Sequence, residues 1–266
     1  MSAPETFQIP LETAEIYEAR FVPALFADWA PHVVDMGDVM TGQSVLDVAY
    51  GTGIVARTAR ERVGAEGWVV GADLNQAMLT VAERVCPDVE LRQADVTALP
   101  FVDGTFDAVL CQMALMFFPD RVAALAEMGR VAKPRGTVVV MVPSSLGAQP
   151  AYRPLVELAA RHAGPEAVAM LSSYWTCGDL DELLATVGAA GLDVLSTRTR
   201  MGTARFSSID EFVAVEVEST PVRERLTDHE YDMLRREAND ILGNFTAAGA
   251  SAEIPIEGHL VVARPR

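Results

Sequence analysis

Between residues 43 and 143 the apolar positions follow two alternating rhythms. Short, nearly continuous apolar runs, as a strand buried on both faces requires, take turns with stretches in which apolar residues recur every third or fourth position, as an amphipathic helix requires. SVLDVA (44–49), WVVGAD (68–73), VELRQAD (89–95), TFDAVLCQM (105–113) and GTVVVMVP (136–143) read as strands, with Gly136 marking the turn before the last. TGIVARTARERV (52–63), NQAMLTVAERV (75–85) and RVAALAEMGRVA (121–132) read as helices, and Asn75 stands where an N-cap belongs. This strict alternation predicts an α/β fold with a doubly wound parallel sheet and helices on both faces.

The flanks are less regular. Residues 11–40 carry Ile16, Phe21, Leu25, Phe26, Trp29 and Val33 at helical spacing, and Pro23 and Pro31 are expected to break them into two or three short helices. After Pro143 the rhythm fades; residues 144–176 read as mixed. A helix is predicted over 178–190, a strand over 192–201, helices around 208–218 and 227–247, and a last strand over roughly 257–264. The expected architecture is a mostly parallel seven-stranded sheet. An N-terminal helical lid spans 1–40, a ligand-binding core 41–143, and a helical cover with the closing strands 144–266.

Composition narrows the partners. The chain has 266 residues and a formal net charge of −16, a balance that disfavours nucleic acid and anionic membrane surfaces. The basic residues are nearly all arginine; Lys133 is the only lysine. Cys86, Cys111 and Cys177 are far apart and match no zinc spacing, so no metal is expected, and they suit a reducing cytosol. The first twenty residues lack the basic, then apolar, pattern of a signal peptide. The densest apolar stretch, Ala108 to Pro119, is too short to span a bilayer. A cytoplasmic location is the expectation.

The candidate chemistry centres on VLDVAYGTG (45–53). Gly51, Gly53 and Ala56 satisfy G-x-G-x-x-[GA], and Asp73 lies twenty residues beyond Gly53, where a ribose-binding acid belongs. Asp47, at the end of the first strand, argues about the ligand. A pyrophosphate close to that carboxylate would cost on the order of 4 kcal/mol at an effective dielectric near 20. A ligand with an amino-acid cation would be favoured, as in S-adenosylmethionine, which has no phosphate. The glycines allow close backbone approach, and the amides at the helix start can receive its carboxylate.

At these residues the sequence resembles the Rossmann-like, class I S-adenosylmethionine-dependent methyltransferases. VLDVAYGTG is similar to their first motif and VVGADLNQAML (69–79) to their second. RQADVTALPFVDGTFDAVLCQMALMFFPD (92–120) is similar to the third and fourth, and EMGRVAKPRGTVVV (127–140) to the helix and strand that follow. The resemblance runs from about residue 16 to 143 and is nearest to the small-molecule branch, with the ubiquinone and menaquinone methyltransferases and natural-product tailoring enzymes. It implies that Asp73 holds both ribose hydroxyls, that Asp95 binds the adenine amino group with Val96 beside the ring, and that Ala49, Leu74, Met78 and Gln112 also adjoin the cofactor. It further implies that the N-terminal helix folds over the cofactor with an aromatic near Tyr17. Ala49 and Tyr50 stand where the family commonly has glycine and cysteine; Tyr50 would either narrow the site or point into a neighbouring helix. Arg135 replaces a glycine before the fifth strand and is expected to affect only a turn.

The methylated atom is judged from the loop after the fourth strand, Gln112 to Phe118, which holds no titratable side chain. The histidines, His32, His162, His229 and His259, read as surface or interfacial residues, although His162 or His229 could fold over the site. An acceptor needing no strong base, most simply an amine, follows; the acidic charge is compatible with steering a cation, although acidity is also the ordinary solution to solubility. Tyr17 and Phe117 are the candidate catalytic residues, with Arg20 placed to reach the ligand's carboxylate or the acceptor. Phe118, Tyr152, Tyr174 and Trp175 are candidate pocket walls that could equally be core. The expected function is S-adenosylmethionine-dependent N-methylation of a small molecule in secondary metabolism. The alternatives are O- or C-methylation of the quinone-biosynthesis type, a nicotinamide-dependent oxidoreductase, or a non-catalytic S-adenosylmethionine-binding protein, for which Tyr50 is the support. The expected partners are a small-molecule acceptor and, through the apolar cover, a second copy of the chain.

Overall fold

The computed structural model describes residues 9–164, 168–218 and 222–266. Seven strands form one sheet: β1 (Ser44–Val48), β2 (Trp68–Asp73), β3 (Glu90–Gln93), β4 (Phe106–Gln112), β5 (Ala132–Pro143), β6 (Leu192–Phe206) and β7 (Ala252–Pro265). Their order is β3-β2-β1-β4-β5-β7-β6. The first five run parallel, and β7 lies antiparallel between β5 and β6. The alternation in the sequence therefore gives the doubly wound, mostly parallel sheet it predicts.

Period-two alternation within each strand divides the core in two. Val45, Ala108, Leu110, Val139, Met141, Leu260 and Val262 face one helical layer. Leu46, Val109, Cys111, Val138, Val140, Val142 and Val261 face the other. The first layer includes α2 (Ala27–Met36), α3 (Ile54–Val63), α4 (Gln76–Val85), α6 (Tyr152–Ala163), α9 (Ile209–Glu218) and α10 (Asp228–Leu242). The second includes α5 (Arg121–Val131) and α8 (Leu180–Ala189). Between α6 and α8 lies the short α7 (Ala169–Ser173). Trp29, fully buried, lies against Gly202 and Gly258, where an added Cβ would stand 2.7 and 3.0 Å from its ring. Burying a side chain of that size contributes about 3 kcal/mol.

Polar residues start the helices. Asn75 Oδ1 accepts from the Ala77 and Met78 amides, as its position predicts. Asp120 caps α5 and Asp179 caps α8. Thr227 and Glu230 form a reciprocal capping box on α10.

Four expectations need correction. The N-terminal helix is not broken at its prolines: α1 (Leu11–Ile16) runs through a π-helical stretch, Tyr17–Phe26, into α2, with Pro23 and Pro31 inside. The wider turn around Pro23 closes on the fifth residue back, which relieves the usual conflict between the ring and the carbonyl four residues earlier. Gly136 is not in a turn before β5 but in a bulge within it, where β5 shifts register against Phe106 and Ala108; an added Cβ would lie 2.9 Å from the Phe106 and Asp107 carbonyls. The mixed region 144–176 contains α6, an amphipathic helix whose pattern is blurred by flanking prolines and glycines. Finally, β6 and β7 are longer than predicted, because their outer halves pair with each other as a two-stranded ribbon.

Candidate functional site

A cavity of about 350 Å³ opens at the carboxyl ends of the parallel strands, where ligands bind in open α/β sheets. Its walls begin with the backbone. Ala49, just after β1, has φ +53°, and Met113, just after β4, has φ +52°. Both line the cavity. Left-handed conformations at residues other than glycine cost about 1–2 kcal/mol and gather at functional sites. Gly51 also lines the cavity, at φ +58°, and an added Cβ would approach Tyr17 Oη at 3.5 Å.

Asp73 organises this end. Its Oδ2 accepts from the Gly51 amide at 2.7 Å and its Oδ1 from the Asn75 amide at 2.7 Å. One carboxylate thus joins the glycine loop to the start of α4. Burial pushes its pKa up, opposed by those amide bonds. Asp95 also lines the cavity; its Oδ1 accepts from the amide and hydroxyl of Thr97, which fixes the side chain at the rim. Leu74, Met78 and Val96 supply apolar wall beside the two acids. Gln112 lines the cavity at the end of β4 and its Nε2 donates to the Phe26 carbonyl at 3.0 Å, tying the sheet to the π-helical stretch.

The N-terminal helix closes the top. Tyr17 lines the cavity with Phe21 and Phe26, their ring centroids 6.1 and 5.0 Å from its own. The Tyr17 hydroxyl is held neutral well above its ordinary range by burial and by the carboxylates of Asp73 and Asp47. Two ion pairs, Arg57–Glu18 and Arg84–Glu15, both at 2.8 Å, fasten the helix to α3 and α4.

Other sequence expectations are placed elsewhere. Asp47 does not face the cavity. It is 2% exposed and turned behind the loop, where its Oδ2 accepts from the Ala56 amide at 2.9 Å. Burial raises its pKa well above the usual carboxylate range, and its carboxyl group serves the backbone of the loop. Gly53 is also behind the loop: at φ +94° it starts α3, and an added Cβ would collide with the Tyr50 hydroxyl. Tyr50 points into the core, not into the site. Arg20 is exposed and does not line the cavity. His259 is neither surface nor site: it is buried, with Thr199 Oγ1 and the Gly178 carbonyl on its ring nitrogens. His162 pairs with Glu237 outside the cavity.

The other side of the cavity, bounded by Pro143 of β5 and Ile256 of β7, is aromatic. Phe117 and Tyr174 meet edge to face at 5.7 Å, and Tyr152 and Trp175 lie at 5.0 Å. Phe118 also lines the cavity. Among these rings stands a carboxylate that the sequence reading did not single out: Glu216 of α9, 2% exposed, accepting from the Tyr152 hydroxyl at 3.0 Å. Burial pushes its pKa up to about 7. A signal for it exists, since Ile209, Phe212, Val213 and Glu216 share one helical face, putting an acid in line with core residues.

Comparison with known proteins agrees with this arrangement. Residues 45–136 match the model of a methyltransferase-domain family. The ubiquinone/menaquinone biosynthesis C-methyltransferase of Idiomarina loihiensis is 41% identical over 119 residues, 42% of this chain and 47% of that protein. The chain thus spans about half the length of the curated relatives it matches. A Bacillus halodurans protein solved as a methyltransferase superposes with TM-score 0.61 at 21% identity, over 89% of this chain and 99% of that one. A Haemonchus contortus phosphoethanolamine N-methyltransferase, solved with S-adenosylhomocysteine, gives TM-score 0.58 at 18% identity, over 96% of this chain and 58% of that one. The last two likenesses establish the fold. Strand order and family match agree: the chain has the Rossmann-like fold of these structures, and its residues 45–136 are similar to a methyltransferase-domain family.

Proposed function

We propose that the chain transfers a methyl group from S-adenosylmethionine to a small-molecule acceptor, with nitrogen as the favoured nucleophile. The observation that carries this reading is the Asp73 arrangement. Its carboxylate already occupies the Gly51 amide, which a dinucleotide's pyrophosphate would need, and it would repel that pyrophosphate. Ribose hydroxyls are donors and suit the remaining lone pairs on both oxygens. Asp95 with Val96, Leu99 and Met116 offers an acceptor at the rim and apolar surface for a base. S-adenosylmethionine, when bound, supplies the electrophilic methyl group. The chain's own contribution is to orient and to exclude water. Well-aligned reactants recover roughly 7–11 kcal/mol of barrier, and Tyr17, Phe21 and Phe26 cover the cavity from solvent.

The described lining of the cavity holds carboxylates and no lysine, arginine or histidine, which favours an amine. Carbon is the second reading, supported by the likeness to the Idiomarina C-methyltransferase. Titration calorimetry with S-adenosylhomocysteine tests the site: micromolar binding, about −8 kcal/mol, is expected. NADH bound instead, detected by its fluorescence, would overturn the reading.

A further inference from the structure

We propose that the acceptor is a cationic amine, and that Glu216 both recognises its ammonium group and takes its proton. The proposal rests on the methyltransferase reading above and adds the substrate class and the residue. The side of the cavity away from Asp73 is walled by Phe117, Tyr152, Tyr174 and Trp175, with the Glu216 carboxylate among them. Among the described lining residues there is no lysine, arginine or histidine. An anionic acceptor would therefore meet carboxylates without a compensating cation. A neutral one would gain at most a hydrogen bond to the carboxylate. An ammonium gains from both the carboxylate and the faces of the rings.

The Tyr152 hydroxyl donates to Oε1, which fixes the carboxyl group against α6. Each carboxylate oxygen accepts in more than one direction, so one carboxylate can serve several donors. Among the described residues, the titratable groups facing Glu216 are Tyr152 and Tyr174. Both hydroxyls are pushed well above their usual range and stay neutral, so Glu216 is the group that titrates there near neutrality. In the step, an ammonium N–H bond breaks and the proton passes to the Glu216 carboxylate. The freed nitrogen pair forms the new carbon–nitrogen bond as the carbon–sulfur bond breaks with its electrons to sulfur. The product is a methylated ammonium and a thioether, and the proton on Glu216 leaves to water when the product departs.

The test uses the full chain saturated with S-adenosylhomocysteine at pH 8 and two matched probes, benzylamine and benzyl alcohol, with binding followed by calorimetry or ligand-observed NMR. Benzylamine is expected to bind at least about tenfold more tightly. Glu216→Gln should erase that preference while leaving S-adenosylhomocysteine affinity within about twofold, which also certifies the variant's fold. Tyr152→Phe, which keeps the carboxylate, should retain the preference. Equal affinities, a preference for the alcohol, a preference that survives Glu216→Gln, or no binding of either probe would overturn the proposal. Failure of S-adenosylhomocysteine itself to bind the unaltered chain would instead sink the methyltransferase reading.

Discussion

Tyr50 lies with its ring across Gly71: a Cβ added at Gly71 would stand 2.2 Å from Tyr50 Cδ2. The bulky residue next to the glycine loop therefore fills a slot that β2 leaves open by having no side chain there. Its outward-facing alternative, and with it the sequence argument for a non-catalytic protein, loses its basis. Gly71→Ala should destabilise the fold by about 1–3 kcal/mol, as overpacking does. Urea denaturation measures it, and an unchanged midpoint contradicts the packing described. Adding Tyr50→Leu should recover part of the loss, because the two sites are in contact.

Ala49→Gly should act in the opposite direction. At φ +53° the alanine pays a steric penalty that glycine avoids. Glycine also loosens the unfolded chain, which returns some of the gain. A net stabilisation of about 0.5 kcal/mol is expected in thermal or urea unfolding; a loss would mean that the methyl group packs usefully in the cavity wall.

Asp73→Ala removes the proposed ribose acceptor and the partner of two amides. S-adenosylhomocysteine binding should weaken at least tenfold, about 1.4 kcal/mol, and stability should fall by about 1–3 kcal/mol for each donor left unpaired and buried. Unchanged affinity by calorimetry would remove the ribose assignment.

Glu216 makes stability depend on pH. Its carboxyl has an ordinary value of 4.5 and stands at about 7 in the folded chain, so the folded state holds the proton more tightly than the unfolded state. The resulting stabilisation is complete below pH 4.5 and is lost as pH rises to about 7. The span corresponds to roughly 3 kcal/mol. Glu216→Gln cannot ionise, so its stability relative to the unaltered chain should increase by about that amount between pH 4 and pH 8. Parallel urea curves at both pH values would refute the burial of this charge.

Arg130 holds the segment that carries Asp95 and Val96. Its guanidinium donates to the Leu99 and Phe101 carbonyls, to Asp103 and to Glu127. An ammonium cannot reproduce that fork. Arg130→Lys should therefore raise hydrogen exchange at Leu99 and Phe101 and weaken S-adenosylhomocysteine binding several-fold. Exchange rates equal to those of the unaltered chain would show that other contacts hold the segment.

The parallel half of the fold is legible because each strand, buried on both faces, declares itself by a dense apolar run, and each helix by one apolar stripe. Boundaries for β2 coincide with the prediction. The signal weakens where local chemistry no longer reflects burial. The outer ribbon, Met201–Phe206 paired with Ala252–Glu257, carries Gly202, Thr203, Arg205, Glu253 and Pro255, a mixture with little strand pattern that pairing orders. In the site, Asp73 and Gly51 follow from spacing along the chain, and Asp95 from the family resemblance. Asp47 and Gly53 match the same motif, yet they serve the loop's own backbone and packing. Glu216 comes from a helix more than seventy residues beyond the last motif, brought in by the β6–β7 crossing, and spacing cannot report such a meeting.

The antiparallel placement of β7 between β5 and β6 also has a consequence for synthesis. Until Ala252–Pro265 has been made, Val138 to Val142 form the open border of a nearly complete sheet, a β-branched, uncharged stretch of the kind that recruits neighbouring chains. Nascent or prematurely stopped polypeptides are where self-association is expected, and a chaperone guarding that border would be released by the arrival of the last strand.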